Sequence, residues 1–332
     1  MSSLFDPDRS AERLPVSLIT GFLGSGKTTL LNRLVQRADM ADSAVIINEF
    51  GDVALDHLLV APLSGEAVVL ASGCLCCAVR GDLQDTLRRL LIERDRGAVP
   101  RFARVLIETS GLADPAPVVQ LFLNNPLLGH YLRLDAVIAT VDSVHGRAAL
   151  AEHWEAKKQA AIADRLLPTK GDIAAPAETE RLTLALRALN PAATIHPVVH
   201  GQIEPGALFG VGPFDATAWD AKMAALDHEA HAHVHAVDAF CLSAETPLDW
   251  GRFHDWLGQL RAERGEHLLR VKGILDIAGE AGPIAVHGVH HVFHPPVALP
   301  RWPDAERRSR LVFVTSGLAR DAVEPGWLGL AG

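Results

Sequence analysis

Long apolar runs are missing from these 332 residues. None approaches the ~18 that a membrane-spanning helix needs, so no membrane partner is expected. The opening residues, Met1-Ser2-Ser3-Leu4-Phe5-Asp6-Pro7-Asp8, lack the basic start and apolar stretch of a signal peptide, which predicts a cytoplasmic protein. A basic surplus is missing as well. Lys and Arg number 31 against 40 Asp and Glu, a net charge of −9, the opposite of the balance usual in nucleic-acid binders. Cysteine is scarce, with 4 residues beside 16 His, and three of the four lie at positions 74, 76 and 77. That is a poor disulfide framework and a reasonable metal site. Apolar residues are not scarce: 48% hydrophobic and 21% charged match globular averages and exclude disordered and fibrous classes. At ~150 residues per domain, the length implies about two.

What the chain does have is an alternation of short apolar runs and helical stretches. Residues 1–13 are polar and read as a flexible tail. Strand-length apolar runs follow at 16–20, 44–47, 67–71, 104–107, 136–141 and 195–199, with helix-period stretches such as 82–94 and 148–166 between most of them. Continuously apolar strands alternating with helices form parallel sheets covered on both faces. The expected fold is therefore α/β, a doubly wound and mainly parallel sheet over 14–205. Turn formers from Glu204-Pro205-Gly206 to Gly212-Pro213 open a Gly/Pro- and His-rich linker, 206–235, in which 216–226 reads as a short helix. Beyond it, strands at 237–243, 268–277, 284–292 and 310–315 accompany a helical stripe of Trp250, Phe253, Trp256, Leu257 and Leu260. These predict a smaller C-terminal α+β domain over 236–325. No internal repeat is visible.

Gly21-Phe22-Leu23-Gly24-Ser25-Gly26-Lys27-Thr28, followed by Thr29, matches the phosphate-binding P-loop pattern G-x-x-x-x-G-K-[ST]. Gly21, Gly24, Ser25 and Gly26 let backbone N–H groups curl around phosphate oxygens, and the helix beginning near Lys27 presents its positive end to them. Lys27 reaches the β- and γ-phosphates, the Thr28 hydroxyl serves Mg²⁺, and Thr29 is expected among the nucleotide-binding residues. The strand before and the helix after meet the context this motif requires. A second Mg²⁺-side carboxylate is expected at a neighbouring strand end, and Glu108, where an apolar strand meets Ser110-Gly111, supplies it. Glu49, in Asn48-Glu49-Phe50-Gly51, ends another strand and can face Mg²⁺ or the γ-phosphate in a loop that senses nucleotide state.

Thr169-Lys170-Gly171-Asp172 is a T-K-x-D variant of the guanine-reading N-K-x-D. A carboxylate such as Asp172 accepts from both N1–H and the 2-amino group of guanine, and is left unpaired against adenine. Lys170 lays its stem across the base. Thr169 in place of Asn is expected to make fewer hydrogen bonds at that corner.

Cys74, Cys76 and Cys77 form a C-x-C-C cluster that can converge on one borderline cation such as Zn²⁺. Three thiolates leave one position open, which suits a site that releases its ion. Cys241 is expected to be a core thiol. His228, His231, His233 and His235 form a tract that gathers Zn²⁺, Co²⁺ or Ni²⁺ weakly or is simply a solvated linker. His287, His290, His291 and His294 fit either a similar cluster or an ordinary exposed strand face.

In their order, residues 21–28, 48–51 with Asp56-His57, 73–77, 108–115 and 169–172 resemble the CobW-type metallochaperone GTPases of the CobW/HypB/UreG class. Arg270-Val271-Lys272-Gly273 and the strand at 311–314 are similar to that family's C-terminal module. The resemblance implies binding of GTP and Mg²⁺, slow GTP hydrolysis, capture of Zn²⁺ or Co²⁺ at the three cysteines, and delivery to a client protein. Lys27, Glu49 and Glu108 then form the catalytic set, and Thr28, Glu49 and Glu108 hold Mg²⁺. Dimerisation across the nucleotide edge is common among related GTPases. Two other readings remain open on sequence: an ATP-dependent small-molecule kinase with a structural zinc, and a non-catalytic zinc store or sensor.

Overall fold

The computed structural model describes residues 12–48, 68–72, 79–210, 237–302 and 307–330. Among these, 12–187 with 193–210 form one compact unit, and 188–192 with the residues from 237 onward form another. No described helix is long and apolar enough to cross a membrane.

The first unit is a seven-stranded sheet in the order β3-β2-β4-β1-β5-β6-β7. The strands are β1 (Leu14–Gly21), β2 (Ser43–Asn48), β3 (Val68–Ser72), β4 (Arg104–Thr109), β5 (Leu132–Asp142), β6 (Arg165–Thr169) and β7 (Thr194–Ile195). Every pairing is parallel. Parallel strands need crossovers, which here are α1 (Lys27–Val35), α2 (Val79–Asp95), α3 (Ala116–Asn124), α4 (Pro126–Tyr131), α5 (Gly146–Glu152), α6 (Trp154–Ile162) and α7 (Pro176–Leu189). Such strands are buried on both faces, which is why β1 and β5 read as unbroken apolar runs. Leu30, Leu31 and Leu34 on one side of α1 pack with Ile19, Val45, Leu106 and Ile138 of the sheet. β1 lies between β4 and β5, with Ile19 level with Glu108 and Gly21 level with Thr140. The strand order reverses there, and the crevice at the carboxyl ends is where open α/β sheets bind ligands.

Two expectations need correction in this unit. The stretch 148–166 is not one helix: His153, extended at φ −113° and ψ 122°, ends α5 and caps α6, and α6 stops at Ile162. The following Arg165–Thr169 is a fully buried strand. Arg165 tolerates that position because its guanidinium donates to the carbonyls of Asp164 (3.2 Å) and Ala207 (3.3 Å). The run at 195–199 is likewise shorter than read: only Thr194–Ile195 forms strand, and beyond it the chain stays beside β6 through His196 N–H to the Leu166 carbonyl (2.9 Å) and a bridge from Thr169 to Val198.

The second unit is an antiparallel sheet, β11-β10-β9-β13-β8, with β12 beside β10. Its strands are β8 (Val237–Ala244), β9 (Leu268–Leu275), β10 (Ile284–Val289), β11 (Val292–Phe293), β12 (Val297–Ala298) and β13 (Ser309–Ser316), and its helices are α8 (Trp250–Arg264) and α9 (Glu324–Leu328). Asp249 caps α8 by accepting from Arg252 N–H at 2.9 Å. Phe253, Leu257 and Leu260 of that helix meet Phe240, Leu242, Val271, Phe313 and Trp327 in one core.

Here too the reading needs amendment. The run 284–292 breaks at His290 (φ 54°), which turns β10 into β11. His287 is not on an exposed face: it is buried, its ring lies 3.7 Å from that of His294, and neither of its nitrogens hydrogen-bonds to a described residue. Burial, then the neighbouring His294, Arg270 and Lys272, hold its pKa well below the ordinary imidazole value. Cys241 is half-buried and packs against Ala192, Ile274 and Val312, at the margin of a core and not inside it.

Two measurements test this packing. Phe253 is fully buried against Trp250, Trp256 and Trp327, so Phe253→Ala should destabilise by about 3–5 kcal/mol in urea unfolding followed by tryptophan fluorescence. A loss under about 1 kcal/mol would contradict the core. His287 stays neutral when folded and takes up a proton when unfolded, so its contribution is present above the ordinary imidazole range and lost as pH falls through it. His287→Leu should therefore flatten the fall in urea midpoint between about pH 7.5 and about pH 5.5. An unchanged slope would assign that titration elsewhere.

Candidate active site

β1 delivers the chain to Gly21, where a β-carbon would strike the carbonyl and hydroxyl of Thr140 and the hydroxyl of Ser25. Gly26, left-handed at φ 97°, sits at the N-cap of α1 and makes no side-chain cap. The first N–H groups of α1 are thus left facing the loop, as an anion site requires. Lys27 is buried and curls back over the loop, donating to the carbonyls of Gly21 (2.9 Å) and Phe22 (3.2 Å). Ser25 and Thr140 hydroxyls meet at 2.7 Å, and Thr140 also donates to the Thr20 carbonyl at 3.3 Å. Thr109 donates to the Thr20 hydroxyl at 2.9 Å. A hydroxyl network therefore stitches β4, β1 and β5 together beneath the loop.

Thr28, on the first turn of α1, donates from its hydroxyl to Glu108 Oε1 at 2.8 Å. Glu108 is buried at the end of β4. A hydroxyl and a buried carboxylate facing each other are hard oxygen donors that suit Mg²⁺, so these residues fit the ion. The loop that follows β4 is held by α6. Gln159, fully buried, donates to the carbonyls of Gly111 (3.1 Å) and Ala113 (3.0 Å), and Lys158 pairs with Asp114 at 2.6 Å. Gly111 packs so tightly on Leu23 that a β-carbon there would clash with the P-loop. Sequence reasoning missed Gln159, and a lone Gln on a helix gives no signal of such a role.

On the base side, the Thr169 hydroxyl donates to the Ser25 carbonyl at 2.7 Å and lies 3.3 Å from that of Val141. The residue that replaces Asn thus still ties β6 to the P-loop. Lys170, left-handed at φ 58°, places its ammonium 2.9 Å from Asp142 Oδ2. Asp142 also accepts from the N–H of Val144 at 2.7 Å and faces the His145 ring at 3.2 Å. Burial opposes its charge, but Lys170 and these N–H groups outweigh it and hold the carboxyl below the usual range. Asp172 lies on the following turn, with His200 Nε2 3.6 Å from its Oδ2. The loop carrying His200 was also missed; its only mark in the sequence is the turn-forming Gly201.

A cavity of about 360 Å³ opens beside the P-loop, walled by Phe22, Asp142, His145, His153, Gln159 and Lys170 among others. His153 stacks on Phe22 at 4.6 Å. Lys27, Thr28, Glu108 and Asp172 are not in its walls, so it adjoins the P-loop without containing all the residues expected from the sequence to contact nucleotide.

Glu49, Cys74, Cys76, Cys77 and the tract His228 to His235 lie outside the described residues. The strands that lead to them do not. β2 ends at Asn48, level with Ser72 at the end of β3 and Thr109 at the end of β4. Among the described residues, no three His, Cys, Asp or Glu side chains converge as a metal site.

Comparison with known proteins agrees with this architecture. Residues 15–197 match the family model "CobW/HypB/UreG, nucleotide-binding domain", and residues 237–330 match the "Cobalamin synthesis protein cobW C-terminal domain". The chain is 33% identical to the zinc chaperone YjiA of Escherichia coli, over 96% of this chain and 98% of that protein. It is 30% identical to the zinc chaperone CobW of Pseudomonas aeruginosa, over 96% and 91%. It also superposes on the crystal structure of Zn(II)-bound YjiA GTPase from E. coli with a TM-score of 0.77 at 29% identity, covering 96% of this chain and 99% of that one. On its sequence and its fold, the chain belongs to the CobW/HypB/UreG family of P-loop GTPases.

Proposed function

We propose that this protein is a GTP-hydrolysing metallochaperone that takes Zn²⁺, or alternatively Co²⁺, on Cys74, Cys76 and Cys77 and passes it to a client protein. The observation that carries the reading is the Thr28–Glu108 contact at a strand edge whose neighbouring strand ends, Asn48 and Ser72, lead within two residues to Glu49 and Cys74. The relatives named as zinc chaperones support the choice of metal.

In this mechanism the α1 N-terminus and the loop N–H groups bind the phosphates, and Lys27 exchanges its loop carbonyls for phosphate oxygens. Thr28, Glu108 and Glu49 hold Mg²⁺, which when bound neutralises charge developing on the β- and γ-phosphate oxygens. Gln159 fixes the loop after β4 against the P-loop. Thr169 keeps the base motif in register with the cradle, Lys170 lies along the base, and Asp172 accepts from guanine N1–H and the 2-amino group. The metal is cargo: three thiolates leave an open position through which a client can take it. Nucleotide state acts on the thiolates through residues 49–73, which follow one strand end and lead to the next.

Two experiments test the reading. Zinc affinity, measured by competition with a chelator under reducing conditions, should differ between the GTP–Mg²⁺ and GDP forms by roughly 5- to 150-fold. Replacing the three cysteines with Ser should abolish tight binding and leave nucleotide affinity unchanged. Equal affinities in the two forms would remove the coupling, and zinc affinity surviving the replacement would remove the site. Separately, Asp172→Asn should weaken GTP by at least about 100-fold and confer binding of xanthosine triphosphate, because only a base-reading carboxylate can switch in that way. Unaltered preference would refute guanine recognition at Asp172.

A further inference from the structure

We propose that His200 is a second base-reading residue, donating from Nε2 to O6 of guanine while Asp172 accepts from N1–H; this rests on the assignment of Asp172 to the base. Three observations carry the proposal. First, His200 Nε2 stands 3.6 Å from Asp172 Oδ2, so a donor that reaches this oxygen comes within reach of the imidazole. Second, the histidine is held there by the backbone. Gln202 N–H donates to the Val199 carbonyl at 3.0 Å, and His200 (φ 52°) and Gly201 (φ 72°) are both left-handed, which is the tight turn with positive φ at both central residues. Third, the turn is anchored at two points. Val198 N–H donates to the Pro168 carbonyl at 2.8 Å, beside the base motif, and Gly201 approaches Thr29, Leu30 and Arg33 of α1 too closely to admit a β-carbon without displacement.

The ion pair itself does not explain this arrangement. Both side chains reach solvent, and an exposed pair returns no more than the strain of a left-handed non-glycine residue costs. Recognition does explain it. Guanine carries an acceptor, O6, beside a donor, N1–H. A carboxylate beside an imidazole N–H offers the complementary acceptor and donor in the same order. Adenine presents the reverse, an acceptor at N1 beside its 6-amino donor, and so meets two mismatches instead of one.

The test uses the full-length protein and equilibrium affinities for GDP and 6-thio-GDP, whose sulfur is the weaker acceptor. His200→Gly removes the imidazole and relieves the turn, so folding is preserved. It should weaken GDP by roughly 3- to 10-fold, the range of one neutral hydrogen bond, and weaken 6-thio-GDP distinctly less. His200→Gln, which keeps an N–H donor of similar reach, should restore part of the difference between the two nucleotides. Equal losses for both, or no loss at all, would overturn the role of His200. Asp172→Asn with xanthosine diphosphate separates the two assignments. If that variant switches and His200→Gly fails to discriminate, only His200 is misassigned; if it does not switch, the base reading itself falls.

Discussion

The close approach at Gly21 is the contact on which the nucleotide edge depends. β1 runs between β4 and β5 with Val16 to Gly21 buried, so it cannot shift to relieve a collision at its end. With no side chain at position 21, Ser25 reaches the Thr140 hydroxyl, Lys27 reaches the Gly21 carbonyl, and Thr169 reaches Ser25 from β6. Those three bonds fix the loop to β5, to itself and to the base motif. A cradle fixed in this way loses its conformational freedom at folding and not when the phosphates arrive, which favours tight binding and oriented donors.

The same sheet brings the nucleotide edge level with the strand ends from which the chain runs on to the cysteines of the proposed function. Asn48, Ser72 and Thr109 are level across three adjacent parallel strands. Glu108, one residue before Thr109, holds the Thr28 hydroxyl. Hydrogen-bonded strand ends do not move independently, so a nucleotide that reorganises the Thr28–Glu108 contact acts next to the start of residue 49 and the approach to residue 74. Coupling over such a distance needs only two arrangements of the intervening chain with different affinities for each ligand.

Legibility in the sequence followed the locality of the chemistry. The P-loop, Glu108 and the T-K-x-D turn were readable because each depends on residues close together in the chain and on a strand end beside them. β6 was not, because its buried arginine and proline look unlike a central strand; Arg165 is satisfied by the carbonyls of Asp164 and Ala207, the second of which lies far along the chain. Gln159 and His200 are invisible for a similar reason: their partners lie across the fold, at Gly111 and Asp172. His287 misled by alternation, since spacing gives the face of a strand and not what covers that face. The cysteine cluster and Glu49 were legible as motifs, and their geometry lies outside the described residues.

The base motif also shows how charge and shape are divided. Lys170 spends its ammonium on Asp142, which is further satisfied by the N–H of Val144, so little of that charge is left for the nucleotide. What remains beside the turn is the aliphatic stem, held in place by a left-handed backbone and an ion pair at its tip. An apolar stem can cover one purine as well as another. Selection between purines therefore has to come from groups that meet the edge of the base, the part that the proposed reading gives to Asp172 and the imidazole that faces it. Thr169 serves the motif through its hydroxyl, which reaches back to the Ser25 carbonyl of the P-loop and so holds the strand end against it.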